Sequence, residues 1–181
     1  MKFCSNCGGS VDFRIPADDN RERFVCDACT TIHYINPRIV AGCLVTHGDQ
    51  VLLCQRAIEP RRGTWTLPAG FMENGESVEE GAARETWEEA LAKVHVGDLY
   101  TIFSLPHISQ VYMFFRAEMV DGSFGCGPES LACDLYSEAD IPWDQLSFPV
   151  MRNTLKHYFS DRASNNFPLR SETIVYRGQK R

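Results

Sequence analysis

An acidic segment from Gly70 to Ala92 sets narrow limits on how this chain can fold. The segment contains seven glutamates and one arginine, so it accounts for the whole formal net charge of −6. Within it, Ser77 is followed three residues later by Glu80, which is the pattern of a capping box. The pattern predicts that a helix begins here, directly after a loop that contains Gly70.

Three glutamates of this helix share one face. At about 100° per residue, Glu85, Glu88 and Glu89 fall within an arc of about 100°. The arrangement costs stability, because Glu85 and Glu89 repel each other at i,i+4 and the helix dipole disfavours anions near the C-terminus. Divalent cations such as Mg²⁺ or Mn²⁺ would remove this cost, since they bind carboxylate and phosphate oxygens. A solvated acidic face is the alternative. The opposite face is expected to pack on the core through Ala83, Trp87, Ala90 and Leu91.

The spacing of the charged residues resembles the signature of the Nudix hydrolases. It reads Gly70, five residues, Glu76, seven residues, Arg84-Glu85, two residues and Glu88-Glu89. The resemblance implies an α/β fold, an α/β/α sandwich with a mixed sheet, which binds Mg²⁺ and hydrolyses a nucleoside diphosphate linked to another group. It also implies residue roles: metal ligation by the Gly70 carbonyl, Glu85, Glu88 and Glu89, and an orienting pair of Glu76 and Arg84. Glu88 and Glu89 are the nearest candidates for a general base. Leu91 stands where the family usually has glycine.

Four N-terminal cysteines have the spacing of a tetrahedral zinc site. Cys4, Cys7, Cys26 and Cys29 form two Cys-x2-Cys pairs separated by eighteen residues. Two disulfides are the alternative. Residues 1–34 contain few large apolar side chains, so bound Zn²⁺ would have to supply part of the folding free energy. Four thiolates leave no open position, which predicts a structural zinc ribbon. Buried thiols are expected for the other cysteines, Cys43, Cys54, Cys126 and Cys133.

The remaining chain predicts one catalytic domain and a tail. We expect the zinc ribbon at residues 1–34, the Nudix domain at 35–160 and a polar, basic tail at 161–181. The tail is expected either to carry a terminal strand around Thr173 to Tyr176 or to be loosely ordered. Apolar runs predict strands at 39–46, 50–56, 94–103, 111–118 and 131–136 and a helix at 148–159. No apolar run approaches the length of a membrane span, and there is no signal segment, so we expect a cytoplasmic protein.

The substrate class follows from further resemblances. An N-terminal zinc ribbon occurs in two kinds of Nudix protein. The stretches 36–37, 63–70, 83–90 and 127–133 resemble the plant-plastid and bacterial enzymes that act on FAD and ADP-ribose. The NAD(H) pyrophosphatases, which also remove NAD caps from RNA, carry a Ser-Gln-Pro-Trp-like motif where this chain has Ser104-Leu105-Pro106-His107. The resemblance favours release of AMP with FMN or ribose 5-phosphate, and NAD(H) is the alternative.

The sequence indicates substrate-recognition residues and partners less clearly than it indicates the metal sites. Arg56 is a candidate phosphate ligand because a guanidinium can bind two phosphate oxygens, and Arg116 and Glu129 are further candidates for substrate binding. Phe71 and Tyr112 are candidates for stacking on a base. The acidic composition argues against broad nucleic-acid binding. A nucleotide-sensing regulatory module and a homodimer remain alternatives.

Overall fold

A computed structural model describes residues 1–175 of the chain. Its backbone divides into two compact units, Met1–Asn36 and the residues from Pro37 onward. No helix among the described residues is long and apolar enough to cross a membrane.

The first unit is a three-stranded antiparallel sheet made of β1 (Val11–Arg14), β2 (Arg23–Cys26) and β3 (Ile32–His33). Its buried apolar residues include Cys4, Val25 and Cys26, whereas Phe13 and Ile15 are exposed. A core this small rarely holds a fold together alone, which is the reason to expect a metal here.

The second unit is built on one mixed sheet. Its strands are β4 (Arg38–His47), β5 (Gln50–Arg56), β6 (Trp65–Thr66), β7 (Ala69–Phe71), β8 (Val94–Leu105), β9 (Gln110–Met119), β10 (Ser130–Tyr136) and β11 (Arg170–Thr173). The order is β10-β5-β4-β9-β8-β11, with β6 paired to β5 and β7 paired to β4. Strands β4 and β9 are parallel, as are β8 and β11, and the other pairs are antiparallel. Two helices complete the unit, α1 (Val78–Ala90) and α2 (Pro149–Arg162).

Both faces of the sheet are buried, and each carries one helix. On β4, Cys43 and Val45 belong to the core cluster that includes Ala82 and Ala90 of α1, whereas Leu44 belongs to the cluster that includes Leu155 of α2. This alternation explains why the central strand is a continuous apolar run in the sequence. The predicted α/β/α sandwich with a mixed sheet is confirmed.

Helix α1 begins as the sequence predicts. Ser77 is the N-cap, its hydroxyl accepts from the Glu80 N–H, and the Glu80 carboxylate accepts from the Ser77 N–H. The helix ends at Leu91, which adopts the left-handed conformation with φ 48° and donates its N–H to the Trp87 carbonyl. Leucine therefore forms the turn that glycine usually forms, at the cost of some backbone strain.

The predicted packing face of α1 is wrong in part. Ala90 is buried, but Trp87 is 47% exposed and Leu91 is 41% exposed. The buried face instead consists of Gly81, Ala82, Thr86, Glu89 and Ala90. The helix is rotated from the expected orientation, because part of its acidic face turns into the fold rather than toward solvent.

The C-terminal stretch contributes an edge strand. Strand β11 pairs with β8 in parallel, with Arg170 opposite Thr101. Arg170 Nε donates to Asp161 Oδ2 at 3.0 Å, and the Tyr100 hydroxyl donates to the same oxygen at 2.7 Å. Strand β11 begins three residues before the strand predicted around Thr173 to Tyr176, and Tyr176 lies outside the described residues.

Candidate metal and catalytic site

The strand that precedes α1 brings Gly70 against Glu85. Strand β7 pairs with β4, and Gly70 lies opposite Ala41. A Cβ atom at position 70 would lie 2.3–2.4 Å from the carboxylate atoms of Glu85, so only glycine allows this approach. The structure thus brings two of the predicted metal ligands into contact.

Arg84 connects the loop before α1 to the carboxylates of the helix. Its Nε and Nη2 donate to the two oxygens of Glu76 at 3.0 and 2.9 Å. Its Nη1 donates to Glu85 Oε1 at 2.8 Å and to Glu88 Oε2 at 3.0 Å. Nη2 also donates to the Phe71 carbonyl at 3.1 Å. The arginine therefore restrains both the loop and two predicted ligands.

Arg84 and Glu76 stabilise each other's charged forms. The Arg84 guanidinium and the Glu73 N–H, which donates to Glu76 Oε1 at 2.6 Å, lower the pKa of Glu76 to about 2. The hydrogen bond to Glu76 raises the pKa of Arg84. Glu76 is therefore ionised at neutral pH, as the predicted orienting role requires.

Glu89 is a carboxylate held inside the fold. It is 7% exposed, and its Oε2 has no hydrogen-bond partner among the described residues. Burial and the nearby charge of Glu85 raise the pKa of Glu89 to about 8, although Arg56 and the backbone of Ala69 act in the opposite direction. Burial also raises the pKa of Glu85, against the effect of Arg84.

The unpartnered oxygen of Glu89 fits a role in binding a divalent cation. An unpartnered carboxylate oxygen in a low-dielectric position is costly, and a hard cation provides the charge and the oxygen coordination that it lacks. Glu88 is half-exposed, so the solvent exposure of the three side chains increases from Glu89 through Glu85 to Glu88.

Two of the predicted recognition residues lie beside this cluster. The charge of Glu129 raises the pKa of both Glu85 and Glu89, and the charge of Arg56 lowers the pKa of Glu89. Arg56 begins the loop that Glu129 contacts, because the Ala57 N–H donates to the Glu129 carbonyl at 2.8 Å. Strand pairing of β5 with β10 explains how residues so distant in sequence meet.

The structure does not bring Arg116 to the cluster. Its guanidinium lies 3.6 Å from the ring centroid of Phe167, and its charge acts on Tyr158. Arg116 lies opposite Leu44, which packs on the face of the sheet that carries α2, whereas α1 packs on the other face. Arg116 remains a prediction without a place in the site.

A cavity beside the site was not expected from the sequence. It encloses about 340 Å³ and is lined by residues 37–39 and 71–76. Phe71 is 45% exposed, and the Arg38 guanidinium lies 4.5 Å from its ring centroid. A single arginine after Pro37 gives no signal in the sequence, because the contact forms only when β7 pairs with β4.

The four N-terminal cysteines form one cluster. Their sulfur atoms all lie within 4.8 Å of one another, and none of the described cysteines is in a disulfide. The Cys4–Cys29 and Cys7–Cys26 sulfurs are 3.7 and 3.5 Å apart. Tetrahedral coordination with Zn–S bonds of about 2.3 Å places sulfurs at about this separation, so the cluster fits zinc and the disulfide alternative does not.

Further donors surround this cluster. The N–H groups of Asn6 and Cys29 donate to Cys4 Sγ and Cys26 Sγ, each at 3.4 Å. His33 Nε2 lies 3.3 Å from Cys4 Sγ. Such contacts orient and stabilise thiolate ligands. No role for His33 was predicted from the sequence, although it lies only four residues after Cys29.

Comparison with known proteins decides the family. A model described as the Nudix N-terminal zinc ribbon matches residues 2–35, and a model described as the NUDIX domain matches residues 36–158. The chain belongs to the Nudix family. It is therefore a hydrolase of a family that uses divalent metal ions.

Similar Nudix proteins differ in their named activities. A crystal structure of a NUDIX hydrolase from Nitrosomonas europaea is 51% identical, with a TM-score of 0.91, over 96% of this chain and 100% of that chain. NAD-capped RNA hydrolase NudC of Stutzerimonas stutzeri is 31% identical over 72% of this chain and 45% of its own length. ADP-ribose pyrophosphatase of Methanocaldococcus jannaschii is 26% identical over 60% of this chain and 67% of its own length. The chain spans about half the length of the NudC relatives that it matches.

The end of the Nudix helix is held by a glycine-rich loop. The Gly125 N–H donates to the Ala90 carbonyl at 2.8 Å, and the Gly127 N–H donates to the Glu89 carbonyl at 3.0 Å. A Cβ atom at Gly127 would lie 1.6 Å from the Glu88 carbonyl oxygen. The loop therefore satisfies helix-end carbonyls and fixes the residues that carry the acidic side chains. This role of the loop is not predicted from the sequence.

Proposed function

We propose that this chain hydrolyses the diphosphate linkage of an ADP-containing dinucleotide with Mg²⁺ or Mn²⁺. NAD(H), free or as the 5′ cap of RNA, is the first candidate. The products would be nicotinamide mononucleotide with AMP, or with 5′-monophosphate RNA when the substrate is capped RNA. The observation that carries the proposal is the buried Glu89 carboxylate, whose unpartnered oxygen lies in a group of acidic side chains restrained by Arg84.

The choice of NAD(H) reverses the order given by the sequence. NAD-capped RNA hydrolases from several bacteria are 31–37% identical to this chain, whereas the ADP-ribose pyrophosphatase is 26% identical. These similarities favour the alternative of the sequence analysis over its first choice, and they also keep RNA among the candidate partners.

The residues of the site divide the work of the reaction. Glu85, Glu88, Glu89 and the Gly70 carbonyl would hold the dication. A bound dication would neutralise phosphate charge and lower the pKa of the attacking water. Arg84 and Glu76 would keep the carboxylates in position, and Arg56 would bind a phosphate oxygen. Glu88 and Glu129 are the accessible carboxylates that could accept the proton of the water.

ADP-ribose and FAD form the second candidate class. The stretch Ser104-Leu105-Pro106-His107 lacks the tryptophan of the NAD(H) motif. The stretch ends at a turn whose Ser109 carbonyl accepts from the Arg38 N–H at 3.0 Å, and Arg38 lines the 340 Å³ cavity. A different residue in this stretch would lie close enough to the cavity to alter which part of a substrate the cavity accepts.

A substrate panel tests the proposal. Purified protein would be assayed with NADH, ADP-ribose, FAD and NAD-capped RNA, with Mg²⁺ or with EDTA, and kcat/KM compared. We expect NADH or the capped RNA to have the highest kcat/KM and EDTA to abolish turnover. A higher value for FAD or ADP-ribose would overturn the choice of NAD(H). Binding of nucleotides without cleavage of any of the four would instead favour the regulatory module.

A further inference from the structure

Three cysteines outside the zinc cluster meet beside the C-terminal end of α1. Cys133 on β10 lies opposite Cys54 on β5, and their sulfurs are 3.6 Å apart. Cys126 is close to Cys133, because the Gly127 N–H, next to Cys126 in the chain, donates at 3.0 Å to the Glu89 carbonyl that Cys133 also contacts. The Cys133 thiol also donates to the Glu89 carbonyl at 3.4 Å. Cys133 is therefore adjacent to two other thiols and to the backbone of the acidic helix.

The three thiols differ in their access to solvent. Cys54 is 1% exposed and belongs to the core between the sheet and α1. Cys133 is half-buried, and Cys126 is exposed, which corrects the expectation that it is a buried thiol. A small dissolved oxidant can therefore reach Cys126 and Cys133 but not Cys54.

We propose that Cys126 and Cys133 are a modification site, a thiol pair that hydrogen peroxide converts to a disulfide that slows turnover. One thiol sulfur attacks a peroxide oxygen, the O–O bond breaks, and a sulfenic acid and water form. The second thiol then attacks the sulfenic sulfur, the S–S bond forms, and the S–O bond breaks to release a second water. Two thiols are oxidised, and one peroxide is reduced to two waters.

The bridge would act on the backbone that holds Glu88 and Glu89. Cys126 lies between Gly125 and Gly127, whose N–H groups bind the last carbonyls of α1. Disulfide formation removes the thiol proton that Cys133 donates to the Glu89 carbonyl. Since a Cβ at Gly127 would overlap the Glu88 carbonyl, the loop has no room to shift without moving the helix end.

A peptide map identifies the bridge without any substrate. No lysine or arginine lies between Arg116 and Arg152, so trypsin leaves Cys126 and Cys133 in one peptide. Cys54 lies in another, between Arg38 and Arg56. After peroxide treatment we expect the first peptide to be lighter by two hydrogen atoms and inert to alkylation, and to recover with dithiothreitol. A cross-link between the two peptides, or two free thiols in the first, would overturn the proposal.

The effect on turnover rests on the proposed hydrolysis and is measured separately. Displacements of about 1 Å can cost ~10²-fold in rate, so we expect peroxide to lower kcat at least about tenfold, reversibly. Cys126→Ser is the matched control, since it keeps the zinc cluster and removes only the loop thiol, and it should retain its rate. Zinc release is followed with a chromogenic chelator. Equal losses in both proteins, or a loss that tracks zinc release, would overturn the regulatory part.

Discussion

At the scale of single residues, the structure concentrates its electrostatic cost in Glu89. The carboxyl is buried, it has an unpartnered oxygen among the described residues, and its pKa is raised to about 8. A group with these properties stabilises nothing in the metal-free protein. Its position is explained if it binds a cation.

Stability without metal should therefore depend on pH with a defined sign. The folded pKa of Glu89 is about 8 against an ordinary value of 4.5, so the folded state holds its proton more tightly than the unfolded state. Unfolding stability in EDTA should then fall as the pH rises from about 4.5 to about 8. Glu89→Gln removes this group, so urea midpoints at pH 5 and pH 8 should differ less than in the wild type. Identical pH dependence in the two proteins would contradict the raised pKa.

Leu91 is a second residue at which the structure carries a local energetic cost. Its left-handed conformation is strained for leucine, whereas glycine adopts it freely. We expect Leu91→Gly to raise the free energy of unfolding by about 0.5–1 kcal/mol, measured by urea denaturation. Leu91→Ala keeps the strain and loses the side-chain contact with Gly125, so it should be no more stable than the wild type. A more stable alanine variant would show that the strain is not the cause.

At the scale of elements, the loop of residues 121–128 holds the C-terminal end of α1 through two backbone hydrogen bonds. We expect Gly127→Ala to cost more than about 3 kcal/mol, because the added Cβ would overlap the Glu88 carbonyl. Gly125→Ala is the matched control, since its Cβ would lie in ordinary contact, 3.4 Å from Leu91 Cδ1. Urea denaturation of both variants measures the difference, and equal losses would argue against the proposed restraint of the helix end.

Elements with local signals could be predicted from the sequence. The capping box places the start of α1 because Ser77 and Glu80 satisfy each other within one turn. Strand β5 is predicted at its observed bounds because an apolar run lies between a turn and a charged loop. The Arg84–Glu76 contact, which the resemblance to the Nudix signature implies, is also present.

Other features depend on contacts between distant segments. Strand β11, Arg-Ser-Glu-Thr, has no apolar pattern and is held by its pairing with β8 and by Asp161. The exposure of Trp87 depends on how far the carboxylate face turns inward. Neither could be read from periodicity, because both depend on tertiary packing rather than on local preference.

At the scale of the whole molecule, the two units rely on different sources of stability. The second unit has a two-sided apolar core, whereas the first buries few apolar side chains and gathers four thiols. We expect about one zinc per chain, and Cys26→Ser should lose it and the amide-exchange protection of β1–β3. Cys126→Ser should retain both. Full protection of these strands in the metal-free Cys26→Ser protein would contradict a structural role for zinc.

The central claim is that the acidic face of α1 binds the dications used in diphosphate hydrolysis. Titration of Mn²⁺ followed by electron paramagnetic resonance, with turnover measured on the same samples, tests it most directly. We predict that Glu89→Gln weakens Mn²⁺ binding at least about tenfold and lowers kcat by about 10² or more. Glu79→Gln, an exposed glutamate of the same helix, should change neither. Unaltered Mn²⁺ binding and turnover in Glu89→Gln would contradict the account.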